Sequence, residues 1–252
     1  MKIVVIGGTG LIGSKVVAKL TSLGHEVLAA APNTGVNTLT GEGLDGALAG
    51  ADVVIDLANS PTFDDAAIDF FTTAGNNLIA AEQNAGVKLH VALSVVGTER
   101  LVASGYFRGK LAQETLIKAS PVPYTLVHAT QFMEFLRAIG QAGADGDTIR
   151  LSHASIQPIA AEDVADAVVE AALSPAANAT IEIAGPETYA INEIVARVLA
   201  YDKDPRAVVI DPDARYFGLR LEEKSLVAGP DARLGKTTFD WWIENVAPPT
   251  KK

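Results

Sequence analysis

The sequence predicts an open α/β fold: a doubly wound parallel sheet with a small C-terminal substrate-binding region. Three observations carry this expectation. Short β-branched runs alternate with longer amphipathic ones over the first half of the chain, the pattern of parallel strands covered by helices on both faces. The first strand runs straight into a glycine-rich turn, Gly7-Gly8-Thr9-Gly10-Leu11-Ile12-Gly13, that opens a helix. The 252 residues, 48% hydrophobic and 20% charged, have globular proportions and are enough for one large domain with an appendage.

The elements follow in order. Lys2–Ile6 reads as a buried strand, and Ser14–Leu23 as a helix with Val16, Val17 and Leu20 on its inner face. His25–Ala30 and Val53–Leu57 are the next strands. Between them lies Asn33–Gly50, rich in glycine, where only a short strand near Val36–Leu39 can be placed. Phe63–Asn84 is helical, with Phe70, Leu78 and Ala81 at helical spacing and Gly86 as terminator. Leu89–Leu93 is a strand, Tyr106–Ala119 a helix, and Tyr124–Val127 a strand introduced by Pro121 and Pro123. Beyond about residue 130 the pattern loosens: loops are expected around Gly140–Asp147 and Gly185–Thr188. Later pieces are a helix at Glu162–Leu173, a strand at Thr180–Ile183 and a helix at Asp240–Val246, then a frayed Pro-Pro-Thr-Lys-Lys tail. The domain reading is a nucleotide-binding core over 1–130 and a substrate region over 131–252, interleaved with the last sheet strands near 150–185.

Composition removes several functional classes. Thirty acidic residues against 20 basic ones give a net charge of −10, so general nucleic-acid binding is not expected. Without cysteine there is no disulfide framework, thiolate metal site or cysteine nucleophile, and the four histidines show no metal-ligand spacing, so no metal is expected. Glycines interrupt the apolar start too early for a signal peptide, and no apolar run is long enough to span a membrane. The expectation is a cytoplasmic protein acting on a small molecule, with a homodimer left open.

Gly7, Gly10 and Gly13 fit G-x-x-G-x-x-G, a spacing variant of the dinucleotide fingerprint. A turn without Cβ atoms lets backbone N–H groups approach a pyrophosphate, and the helix N-terminus adds a favourable dipole. This predicts a Rossmann-type sheet holding NAD(P)(H). An acid that would hold a ribose 2′-hydroxyl is expected some 20 residues on, but Ala30-Ala31-Pro32-Asn33-Thr34 stands there. Its absence removes a repulsion against a 2′-phosphate, and Asn33 and Thr34 offer donors. The reading leans to NADP(H), with NAD(H) the alternative.

Ser94 closes the strand at Leu89–Leu93, and twelve residues later comes Tyr106-Phe107-Arg108-Gly109-Lys110, a Tyr-x-x-x-Lys on one helical face. A free phenol, with a pKa near 10, is a poor acid–base at neutral pH, and an ammonium held nearby would lower it. In this reading Tyr106 donates a proton, Lys110 activates it and anchors the nicotinamide ribose, and Ser94 polarises a substrate carbonyl. The competing reading is a tyrosine packed at a helix start with a solvated lysine.

GGTGLIG at the start, LSVVG at Leu93–Gly97, GYFRGKLAQE at Gly105–Glu114, TLVHATQF at Thr125–Phe132 and IQPIAAEDVADAV at Ile156–Val168 resemble the NmrA-like, atypical branch of the short-chain dehydrogenase/reductase superfamily. The resemblance covers essentially the whole chain. It implies phosphate contacts at Gly7, Thr9, Gly10, Leu11 and Ile12, and nicotinamide-side contacts at Ala58, Asn59, Ser60, Leu93, Ser94, Ala129, Gln131 and Phe132. Many NmrA-like members lose the Tyr–Lys pair and act as cofactor-binding regulators; this chain keeps Tyr106 and Lys110. No counterpart of the helix asparagine of other short-chain dehydrogenases is identified, with Asn76 and Asn77 as candidates. Phe132, Phe135 and Leu136 are expected to line an apolar substrate pocket, or else to pack a helix on the sheet. The expected activity is NAD(P)H-dependent reduction of a carbonyl or quinone on an aromatic or polyketide-like substrate. A non-catalytic redox sensor and an epimerase-like enzyme with tightly held NAD stay open as alternatives.

Overall fold

The structure, a computed structural model, describes residues 1–246; the tail expected to fray lies outside the described residues. Two compact units make up the chain. The first comprises Met1–Ala129 and Val164–Glu182, the second Thr130–Asp163 and the chain from Ile183 onward.

The first unit opens with β1 (Lys2–Ile6), α1 (Leu11–Ser22), β2 (Glu26–Ala30), a 3₁₀ turn (Pro32–Thr34), α2 (Leu44–Leu48) and β3 (Val53–Asp56). It continues with α3 (Ala66–Ala85), β4 (Leu89–Val95), α4 (Gly105–Ala119) and β5 (Tyr124–Ala129). The chain then builds α5 (Leu136–Ala142), the hairpin β6 (Ala144–Asp145) and β7 (Thr148–Leu151), and β8 (Ser155–Ile156) in the second unit. With α6 (Ala161–Leu173) and β9 (Ala179–Ala184) it passes through the first unit again. The second unit ends with β10 (Tyr189–Ala190), α7 (Ile191–Asp202), β11 (Ala207–Ile210), β12 (Arg233–Leu234) and α8 (Phe239–Asn245).

The central parallel sheet runs β12-β9-β5-β4-β3-β1-β2. Ile6 of β1 stands opposite Ala30 of β2 and Asp56 of β3. The three strands thus end level, and the chain leaves β1 to opposite sides. A sheet of this kind holds its ligand at that reversal, in the crevice outside the carboxyl ends. Side chains alternate across the sheet. Val4, Ile6, Ala30 and Val54 bury against α2 and α3 through Leu44, Leu48, Leu78 and Ala81, and Ala92 against Ile117 of α4. On α1 the buried side is Ile12, Val16 and Leu20, and Lys19 pairs with Asp166 of α6 at 2.6 Å.

Asn33–Gly50 departs from expectation. No strand forms near Val36–Leu39; Gly35, Gly41 and Gly43 take positive φ, which breaks an extended run. Val36 is still buried, beside a five-residue helix. The loop expected around Gly140–Asp147 includes the end of α5 and the β6–β7 hairpin, whose turn carries Gly146 at φ +58°. Among the described residues no helix is long and apolar enough to cross a membrane.

Candidate functional site

β1 hands the chain to Gly7, whose φ of +72° lies in the left-handed region. A Cβ there would stand 2.8 Å from the Leu57 carbonyl oxygen, and one on Gly13 would collide with the Gly7 oxygen. Side chains are excluded by contact at both positions, not by composition alone. α1 therefore starts at Leu11, directly on the turn, with Gly10 as N-cap and no side chain capping it. No acidic residue stands in its first turn. Its first N–H groups have no partner within the helix and carry the positive end of its dipole. Thr9, Gly10 and Leu11 are exposed, whereas Ile12 is buried and offers backbone only. This uncapped, side-chain-free cradle fits a pyrophosphate.

At the edge of the turn, Thr9 Oγ1 lies 3.4 Å from Asn33 Oδ1, and both residues are exposed. Thr34 behaves differently. Its hydroxyl accepts the Ala31 N–H at 2.8 Å and lies 2.9 Å from the Ala31 oxygen, bound into the 3₁₀ turn. Both expected 2′-phosphate donors are exposed, but the Thr34 hydroxyl is engaged within the turn.

The phenol and ammonium of α4 do not bond to each other. Tyr106 Oη donates to Asn59 Oδ1 at 2.9 Å. Its ring packs against Phe63, Phe71 and Phe107 at centroid distances of 5.3, 5.9 and 5.4 Å. Burial pushes the phenol up to about 12, so the lowering expected from Lys110 is not found. Lys110 Nζ instead donates to the Leu93 oxygen at 2.8 Å and to Gln113 Oε1 at 2.6 Å, and sits 4.7 Å over the Phe71 ring. Gln113 Nε2 in turn donates to Asp56 Oδ2 at 2.7 Å. Burial brings the Lys110 amine down to about 8, against the pull of Asp56 and Glu114.

Ser94 also departs from its expected role. It is buried, and its hydroxyl donates to Glu114 Oε1 at 2.6 Å. That commits its one proton to Glu114 and anchors the end of β4 to α4. His128 Nε2 lies 2.9 Å from the same oxygen, off the line of a regular hydrogen bond, and Lys118 Nζ is 3.2 Å from Glu114 Oε2. Burial alone would raise the Glu114 carboxyl; His128, Ser94 and Lys118 outweigh it and hold it near about 2.

The loop after β3 sorts the remaining expectations. The Ala58 N–H donates to Asp56 Oδ1 at 3.0 Å. Ser60 is buried, and its hydroxyl takes the Thr62 N–H within its own loop at 3.2 Å. Only Asn59 presents its side chain. The loop is fastened to the start of α4. The Phe63 oxygen accepts the Tyr106 N–H and the Ser104 hydroxyl, both at 3.3 Å, Arg108 pairs with Asp65, and Gly105 lies against the Asp64 backbone where no Cβ would fit.

Asp56, Gln113, Glu114 and His128 join the site without a local sequence signal of their own. Gln113 and Glu114 fall three and four residues past Lys110 on one helix face, the spacing that flags contact. Asn77, a candidate for the missing helix asparagine, pins the glycine-rich segment instead, donating to the Thr38 and Leu39 oxygens at 2.8 and 3.1 Å; Asn76 is exposed.

Within the second unit, Gln131 is nine-tenths buried with Oε1 unpartnered, and the Thr130 hydroxyl is likewise buried and unpartnered. Such orphaned acceptors suit a ligand donor. Phe132 stacks on Phe135 at 5.6 Å and 21°, and Phe135 is half exposed. Leu136, at the start of α5, has no exposed surface. Ala129 is buried at the end of β5, its oxygen taking the Val96 N–H at 2.9 Å.

Residues 7–175, from the glycine turn through α6, match the profile of the family described as NAD(P)H-binding. The chain belongs to this family. The NAD(P)H-binding protein is 28% identical over 217 residues to the photosystem II assembly factor Ycf39 of Synechocystis sp., across 77% of its own length. It spans 66% of that relative, just under two thirds. Among solved structures, MoeE5 in complex with UDP-glucose and NAD matches with a TM-score of 0.74 at 19% identity, over 97% of this chain and 96% of that one. A short-chain dehydrogenase/reductase superfamily protein from Agrobacterium tumefaciens with bound NAD gives 0.73 at 17%, over 97% and 95%. These likenesses concern the fold, which is Rossmann-like.

Proposed function

We propose that the chain is an NAD(P)H-dependent reductase of a carbonyl or quinone on a small aromatic substrate, with Tyr106 as proton donor. One observation carries this reading: a phenol that stays protonated at neutral pH stands beside an outward-facing aromatic ring. Phe63, 54% exposed, lies against Tyr106 and offers a platform for a planar substrate. Bound NAD(P)H supplies the hydride in this chemistry. The glycine turn and the first amides of α1 hold its pyrophosphate. Tyr106 gives its proton to the substrate oxygen. Lys110, locked through Gln113 to Asp56, keeps positive charge beside Leu93 at the end of β4. Glu114 and Ser94 fix α4 against β4, so that Tyr106 holds its place. With no carboxylate after β2 to select a ribose 2′-hydroxyl, and with Asn33 free to donate, NADPH is the preferred form in this reading.

The test is NAD(P)H oxidation over a panel of quinones and aromatic ketones, beside fluorescence titrations with NADH and NADPH. Turnover of at least one panel member with tighter NADPH binding is expected. Binding without turnover across the panel would favour a second reading, a redox-sensing binding protein. That reading draws on the inward commitment of Lys110, whose ammonium is held by Leu93, Gln113 and the Phe71 ring.

A further inference from the structure

We propose that Asn59 is the group that stabilises the Tyr106 phenolate left behind when the proton is transferred. The inference rests on the reading of Tyr106 as proton donor. It starts from an electrostatic gap. When Tyr106 gives up its proton, a negative oxygen forms in an aromatic enclosure, and burial without a partner disfavours that charge. The two groups the sequence offers for the task are both engaged elsewhere. Lys110 gives two of its three N–H groups to the Leu93 oxygen and Gln113 and sits over the Phe71 ring, and Ser94 spends its only proton on Glu114.

Among the described residues, it is Asn59 that takes the hydroxyl's hydrogen bond, at 2.9 Å. An amide can serve both protonation states. Its oxygen accepts from the O–H, and a half-turn about its terminal torsion presents the NH₂ to an O⁻ at the same place. Asn59 is exposed, and among the described residues its amide makes no second hydrogen bond, which leaves it room for that turn. The loop that carries it is tied to α4 through Phe63, Ser104 and Arg108, which fixes its distance from Tyr106. The step balances. The substrate C=O would gain at carbon the hydride that NAD(P)H supplies on oxidation to NAD(P)⁺, and at oxygen the Tyr106 proton. The Tyr106 O–H bond breaks, and the phenolate keeps its electron pair and takes a hydrogen bond from Asn59.

Other charges near the phenol do not supply this. Asp65 and Arg108 neutralise each other, Asp64 Oδ1 takes the Ala66 N–H, and the faces supplied by α3 and by Phe107 are aromatic.

The test places a fluorinated tyrosine at position 106, which lowers the phenol pKa into an accessible range, and follows its titration by ¹⁹F NMR in the full chain. Asn59→Ala and Asn59→Asp are compared with the parent, and circular dichroism verifies the fold of each. Removing the donor in either variant should raise the titration by about one pH unit or more. An unchanged midpoint in Asn59→Ala overturns the proposal, including the case where Asn59→Asp alone shifts through its own charge. The titration is read without turnover, so a chain that reduces nothing still reports on Asn59. Failure of the reductase reading would show separately, as unaltered turnover in Tyr106→Phe.

Discussion

The glycine turn and the N-terminal end of α4 stand at the same edge of the first unit's sheet, yet they are built by different means. The turn is made of backbone. Gly7 and Gly13 are forced by contacts with the Leu57 and Gly7 oxygens within a few residues of chain or across one adjacent strand. The α4 face is made of side chains reaching far along the sequence: Tyr106 to Asn59, Gln113 to Asp56, Lys110 to Leu93 and Ser94 to Glu114. A backbone cradle tolerates almost no substitution. A side-chain network can be altered member by member, and each loss should have its own signature.

The largest expected break is on the backbone side. Gly13→Ala drives a Cβ into the Gly7 oxygen, so the turn must open. NAD(P)H affinity should fall by about 100-fold or more, equivalent to about 2.7 kcal/mol, with a lowered Tm. Fluorescence titration checks it; near-normal binding would mean the cradle is not the seat.

On the α4 side two buried groups one turn apart should respond at opposite ends of the pH scale. Glu114 is held at about 2, below its ordinary 4.5. Its stabilising contribution is present above pH 4.5 and disappears as pH falls toward 2, on the order of 3 kcal/mol in all. Glu114→Gln should flatten that acid limb in urea unfolding. Lys110 is held at about 8, below its ordinary 10.5. The unfolded chain binds more protons between those values, so stability should rise from pH 8 to 10.5, again by roughly 3 kcal/mol. Lys110→Met should remove the rise. If both limbs survive both substitutions, the network does not hold these groups.

The smallest effect is expected at the rim. Phe63→Ala removes an exposed ring that touches Tyr106, so KM for an aromatic substrate should rise about three- to tenfold with kcat little changed. An unaltered KM would take the substrate off that platform.

The same contrast explains what could be read in advance. The turn, the strand it follows and the helix it opens were legible because glycine spacing and β-branched runs encode local geometry. α4 and its Tyr106–Lys110 spacing were legible too, but not their partners. Nothing local in Asn59 or Asp56 points to residues about 50 positions away. From the sequence Ser94 has no visible partner, because Glu114 lies twenty residues on and only the packing of α4 on β4 brings them together. Thr34 looked free because a 3₁₀ turn after Pro32 was not foreseen. The second buried pair, Glu82 and His90 at 2.7 Å, was not foreseen either. Burial pulls its histidine down, but the charge and hydrogen bond of Glu82, with Asp56, raise it overall. The stability from that pair is fully present below pH 6.5 and fades as pH rises through the higher folded-state value.

The most direct test of the account measures kcat for Tyr106→Phe at saturating NADPH on a substrate found by the panel, alongside the Kd for NADPH. Loss of the proton donor predicts a fall in kcat of about 10²- to 10⁴-fold, with cofactor affinity unchanged. Equal turnover in the variant would contradict it, and Tyr106 would be a packing residue.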